Sequence, residues 1–163
     1  MDFAQLYTTT SGRINRKTWW LGTVGLIIII FIISLVLTAI LGGMGLMSSG
    51  FGQGLYSLIM MAIIFVPYRA LTYKRLHDRN RPENLFWVFI GPSIASSVLM
   101  ILGLSGSVQK IELLGTSTEM FQPNMLGNLV SLISVGVGIW SLIELGFLKG
   151  DSGDNAHGAD PLA

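Results

Sequence analysis

The chain has 163 residues, 51% hydrophobic and 12% charged, with a formal net charge of +1. Soluble domains carry about 25% charged residues, so this composition points to a membrane protein, and the near-zero balance implies no nucleic-acid partner. With no cysteine, it has no disulfide, no thiolate metal site and no cysteine nucleophile.

A membrane helix needs roughly 20 mostly apolar residues. Four stretches qualify, at about 19–41, 55–73, 85–104 and 125–148. Runs this long lack the period-two alternation of barrel strands, and a backbone in lipid must satisfy its own hydrogen bonds, so each reads as a helix. The apolar body of the first exceeds the ~7–15 residues of a signal peptide, so it is read as a retained span. The expected fold is all-α: a four-helix integral membrane protein, one domain over residues 1–163, ending in a Gly/Asp-rich tail at 149–163.

Asn15 is placed to cap the first span, followed by Trp19 and Trp20 at the membrane interface. Asn84, Phe86 and Trp87 repeat that pattern before the third. Pro67 and Pro92 each remove a backbone donor inside a span. Ser134, Gly136, Gly138 and Ser141 offer the fourth span a small-residue face for close packing. Residues 107–114 are read as a short helix on the outer surface.

Lys and Arg set the orientation. Arg13, Arg16 and Lys17 precede the first span, Lys74, Arg75, Arg79 and Arg81 lie between the second and third, and Lys149 follows the fourth. The loop between the first two spans carries no charge, and the one between the last two has Lys110 against Glu112 and Glu119. Both termini and the middle loop are therefore expected in the cytoplasm. Arg69 and Glu144 fall near the inner ends of the second and fourth spans, where an intramembrane ion pair would offset the cost of burying each. The alternative is that each snorkels separately to the headgroups.

If the second span continues as helix, Arg69, Tyr73 and His77 form a stripe at four-residue spacing, and Pro82 stops the helix beyond it. Three segments then resemble motifs of one family: Gly12-Arg13-Ile14-Asn15-Arg16-Lys17-Thr18-Trp19-Trp20, Lys74-Arg75-Leu76-His77-Asp78, and the closing run from Gly150 through Asn155 and Gly158 to Pro161. In this order they resemble the bacterial inner-membrane family called domain of unknown function 805. The resemblance spans nearly the whole chain and implies multi-pass architecture and inner (plasma) membrane location, but no chemistry. His157 stands where the family pattern has an aromatic residue, and Ala159 where it has a proline.

The charge count puts all three motifs on the cytoplasmic side. Arg13, Asn15, Arg16, Lys74, Arg75, His77, Asp78 and Asn155 are the candidate binding face there, suited to an anionic lipid headgroup or phosphate. His77, His157 and nearby carboxylates could in principle hold a metal, but the positive surroundings oppose a cation, and none is expected. A structural role has His77 donating to a carbonyl and Asp78 capping a helix or pairing with an arginine. Catalysis through His77 and Asp78 ranks low: adjacent helical residues point about 100° apart, and no nucleophile elbow, phosphate loop or zincin motif is present. No catalytic residue or cofactor is assigned.

The adopted reading is a non-enzymatic scaffold, or a binder of anionic headgroup or phosphate at the cytoplasmic face. The alternative is a small transporter or channel subunit; a membrane-embedded enzyme comes last. The expected partners are membrane lipids, anionic headgroups included, and the Gly-rich fourth span permits a homo-oligomer.

Overall fold

The computed structural model describes residues 2–113 and 116–162. Its elements in chain order are α1 (Phe3–Thr8), α2 (Arg16–Gly43), a 3-10 turn at Leu46–Ser48, α3 (Gly50–Asp78) and α4 (Leu85–Ile101). Strands β1 (Gly106–Leu113) and β2 (Thr116–Pro123), α5 (Met125–Leu142) and a π turn at Ile143–Phe147 follow. Among the described residues, three helical stretches are long and apolar enough to cross a bilayer: Arg16–Gly43, Gly50–Asp78 and Met125–Phe147. The 17-residue α4 is apolar but shorter. At 1.5 Å per residue it covers about 25 Å of a hydrocarbon core about 30 Å thick.

The helices start and stop where local chemistry dictates. Asn15 caps α2 as expected, its Oδ1 accepting the Thr18 amide at 2.9 Å. Asn84 precedes α4, and its backbone carbonyl accepts the Trp87 amide at 3.1 Å. α3 ends in a Schellman motif. Asn80 takes φ 50°, the Arg81 amide donates to the Leu76 carbonyl at 2.9 Å, and the Asn80 amide to His77 at 3.1 Å.

The chain divides into two compact units. The first comprises residues 1–31, 62–90 and 137–163. Its core holds Ile14, Trp19, Leu26, Leu71, Leu76, Phe89 and Leu145, with Leu6, Tyr7, Trp20 and Tyr68 packed against it. Trp19 is thus buried, only 4% exposed. The second unit comprises residues 32–61 and 91–136. There Ser57 Oγ lies 2.7 Å from Ser97 Oγ, and a Cβ on Gly54 would meet the Ser97 carbonyl at 2.8 Å, so these backbones touch.

Two expectations are corrected. Residues 107–113 are not helical but belong to β1, which pairs antiparallel with β2 from Gly106↔Pro123 to Leu113↔Thr116; Leu114 lies outside the described residues. Val108, Thr116 and Thr118 favour extended backbone, and the partner strand supplies the ladder that a local reading cannot see. The small residues of the fourth span are not at a tight contact either. A Cβ on Gly136 or Gly138 would meet nothing within 4 Å, and the Ser134 and Ser141 hydroxyls donate back to the carbonyls of Val130 and Gly138. Close approach occurs instead at Gly127, where a Cβ would lie 2.1 Å from the Ser105 carbonyl, and at Gly146, 3.0 Å from the Trp19 ring.

Candidate functional site

All three motif segments lie in the first unit. A helix leaves its last carbonyls without intrahelical donors. At the end of α5 the π turn and the Leu148 that follows it present five carbonyls in succession, and a side chain from elsewhere meets each. Arg79 Nη1 donates to Glu144 at 2.9 Å, Arg75 Nε to Leu145 at 2.7 Å, and Trp20 Nε1 to Gly146 at 3.1 Å. Arg16 Nη1 donates to Phe147 at 3.1 Å, and Arg75 Nη2 to Leu148 at 2.5 Å. At the far smaller α1, Lys74 Nζ donates to the Leu6 carbonyl at 3.0 Å. Arg16, Lys74 and Arg75 of the motifs, with Arg79 beyond them, thus cap helix ends, matched to the negative end of the helix dipole.

Asp78 joins these caps to the tail. Its carboxylate takes Arg13 Nη2 at 3.3 Å and Arg75 Nη1. All three side chains are 4% exposed or less, so each charge requires the others. Arg13 reaches on to the carbonyls of Asp151 at 2.8 Å and Gly153 at 2.7 Å, and to Gly158 at 3.2 Å. Gly153 and Gly158 have φ +80° and +129°, the left-handed region that glycine enters without strain. The Asp151 amide donates to the Asp78 carbonyl at 2.7 Å, and a Cβ on Gly150 would fall 2.0 Å from Asp78 Oδ2. Gly150 therefore lets the tail lie against the carboxylate.

His77 is equally occupied. Nδ1 lies 3.1 Å from the Gly12 carbonyl and Nε2 2.8 Å from Glu83 Oε1. Both ring nitrogens are therefore engaged with oxygens of the protein. The His157 ring stacks on it, centroids 3.9 Å apart and planes within 5° of parallel. Asn155 locks the layer, its Nδ2 donating to the His77 carbonyl at 3.0 Å and its Oδ1 accepting the His157 amide at 2.9 Å. Burial pulls the His157 imidazole below its ordinary pKa, helped by the neighbouring His77. The amides of Leu162 and Gly153 hold the Asp160 carboxyl below the usual carboxylate range.

The arrangement brings together Arg13, Asn15, Arg16, Arg75, His77, Asp78 and Asn155, while Lys74 serves the neighbouring α1. The expected Arg69–Glu144 pair does not form among the described residues. Arg69 instead lies over the Tyr73 ring, 4.7 Å from its centroid. Glu144 Oε1 takes Arg79 Nη2 at 3.3 Å and Arg81 Nε at 3.1 Å. The expectation assumed equal depth on straight helices; the Schellman turn after α3 presents Arg79 and Arg81 to the π turn that carries Glu144. Burial draws the Arg79 guanidinium below its ordinary range, and Glu144 pushes it back up. Residue-level reasoning missed Glu83, whose only signal is its place six residues after His77, and Asp151. It also missed the carbonyl acceptors, which leave no mark in sequence.

Arg16, Arg75, Asp78, Lys149, Asp151 and Asp160 are among the residues lining a cleft of about 190 Å³ beside the start of α2. Among the described residues, no group of three His, Asp or Glu side chains is arranged to hold a metal ion.

The family model described as "Protein of unknown function (DUF805)" matches residues 7–159. The chain is also similar to the inner membrane protein YhaH of Escherichia coli, strains K12 and O157:H7, with 27% identity over 95 residues. That match covers 58% of this chain and 74% of the relative. No solved structure matches. The apolar helices and this kinship agree on location, and the chain, a multi-pass inner-membrane protein, belongs to the DUF805 family.

Proposed function

We propose that the chain is a non-catalytic four-span protein with both termini cytoplasmic. Its motif-bearing end forms a rigid platform at headgroup level that holds anionic lipid. One observation carries this reading. The buried donors of Arg13, Lys74 and Arg75 go to internal carbonyls and to Asp78, whereas Arg16, Lys17 and Lys149 remain exposed. Buried cations aimed at backbone hold a fold together; exposed cations beside a span attract anionic headgroups, each by about 1 kcal/mol. The occupied nitrogens of His77 and the ring stacked on it speak against a general base there.

Orientation is tested by fusing a cytoplasm-only fluorescent reporter to each end, with fluorescence expected from both. Lipid is tested by native mass spectrometry of the full chain in mild detergent with added phosphatidylglycerol. Lys17→Gln is expected to lower retained phosphatidylglycerol without lowering the melting temperature. Unchanged retention would contradict the platform reading.

A further inference from the structure

The cleft beside the start of α2 sets carboxylates against two of the exposed cations on which the platform reading rests. Three cations, Arg16, Arg75 and Lys149, face three carboxylates, Asp78, Asp151 and Asp160. Several are already engaged. Asp78 is shared by Arg75 and the buried Arg13, and Asp160 accepts the Gly153 amide at 2.8 Å and the Leu162 amide at 2.9 Å. Arg16 has given one nitrogen to Phe147. Among the described residues, the Lys149 ammonium and the Asp151 carboxylate have no hydrogen-bond or ion-pair partner, and both side chains are exposed. The Asp151 backbone is nonetheless fixed by its amide bond to Asp78 and its carbonyl bond to Arg13. The cleft therefore offers two outward cations and one outward carboxylate on a rigid frame.

We propose that this cleft binds a phosphodiester carrying a primary amine, the chemistry of a phosphoethanolamine headgroup, with Arg16 and Lys149 on the phosphate and Asp151 on the ammonium. The proposal rests on the headgroup-level placement of the platform and names the ligand its cleft would select. The volume, room for about six waters, suits a small headgroup. An anionic headgroup without an amine would leave the Asp151 carboxylate without a counter-charge. A choline headgroup cannot donate to Asp151, and it is commonly held by aromatic faces, whereas no aromatic side chain lines this cleft. Arginine and lysine together suit a phosphate monoanion, one as a planar fork and one as a point charge. The T-shaped Trp20 and Phe147 rings, 5.8 Å apart, lie beside the Arg16 anchor and provide apolar surface for the acyl chains of a lipid.

The test is native mass spectrometry of the full chain in mild detergent with equimolar phosphatidylethanolamine, phosphatidylcholine and phosphatidylglycerol. Phosphatidylethanolamine is expected to be retained in preference to both others. Asp151→Asn is expected to reduce its lead over phosphatidylglycerol by about tenfold, the factor for losing one charge-assisted hydrogen bond. Arg16→Gln is expected to weaken all three. Equal retention of the three lipids by the native chain, or an unchanged lead in Asp151→Asn, overturns the proposal. Soluble glycerophosphoethanolamine, titrated by calorimetry, separates the sources: binding as tight as the lipid's supports the site with a water-soluble ligand, and no binding beside retained lipid supports the membrane source. Lys17 does not line the cleft, so the platform test and the selectivity test can fail separately.

Discussion

The two compact units of this chain hold helix segments together by different means. In the first, long basic side chains reach across to carbonyls and to Asp78, spacing the backbones by the length of an arginine. In the second, glycines remove the spacing altogether: Gly54 sits on the Ser97 backbone and Gly127 on Ser105, with the hairpin ladder of β1 and β2 added. A network of buried charges is cooperative, because removing one member strands the others. A glycine contact is local and fails by itself. The first unit should therefore respond to single polar substitutions far more strongly than the second.

Asp78→Ala gives the largest expected effect. It leaves Arg13 and Arg75 buried without their carboxylate, a loss of about 3–5 kcal/mol for a broken buried pair. In detergent the melting temperature should fall, and limited proteolysis should release the tail after Lys149. An undiminished melting temperature would remove the distinction between the units.

Gly150→Ala comes next. Its methyl would meet Asp78 Oδ2 at 2.0 Å, so the tail must shift, at a cost of about 1–3 kcal/mol for overpacking. The control is Gly136→Ala, whose methyl enters open space. That change should leave the melting temperature unchanged or slightly raised, since alanine is the better helix former. Ser57→Ala in the second unit removes one interhelical hydroxyl bond, for which about 0.6 kcal/mol is the mean in a membrane protein.

Much of the first unit was legible in the residues. Asn15 announced its cap because capping is a local bond between a side chain and an amide three residues on. The pairing of Asp78 with arginine and the donation of His77 to a carbonyl both appeared as structural alternatives, since buried polar groups must find partners. The acceptors did not appear. Five consecutive carbonyls in and just after a π turn look like any other backbone, and only the fold brings Arg75 to Leu145, 70 positions away. Arg69 and Glu144 misled for the same reason: depth along a helix was readable, but the turns that redirect Arg79 and Arg81 were not. The strand pair at 106–113 and 116–123 was missed because the stabilising partner of each strand is the other strand.

The smallest expected effect is a pH dependence of the tail confined to the first unit. His157 has its pKa pulled down by burial, then by His77, with Glu83 opposing and Arg13 adding to the shift. A histidine lowered in the folded state binds protons more readily when undocked, so stability rises with pH. Docking should be at full strength above about pH 6.5, the ordinary value for histidine, and should weaken as pH falls below it. Asp160 acts in a separate window. Its lowered pKa makes its contribution complete above the ordinary carboxylate range and lost only as pH falls through its lower folded value. Hydrogen exchange of the tail amides between pH 7.5 and 5 is therefore expected to report His157 rather than Asp160. In His157→Phe an aromatic ring still stacks on His77 but cannot titrate, so the slope should vanish while protection at pH 7.5 persists. A slope that survives in His157→Phe would move the titration to another group.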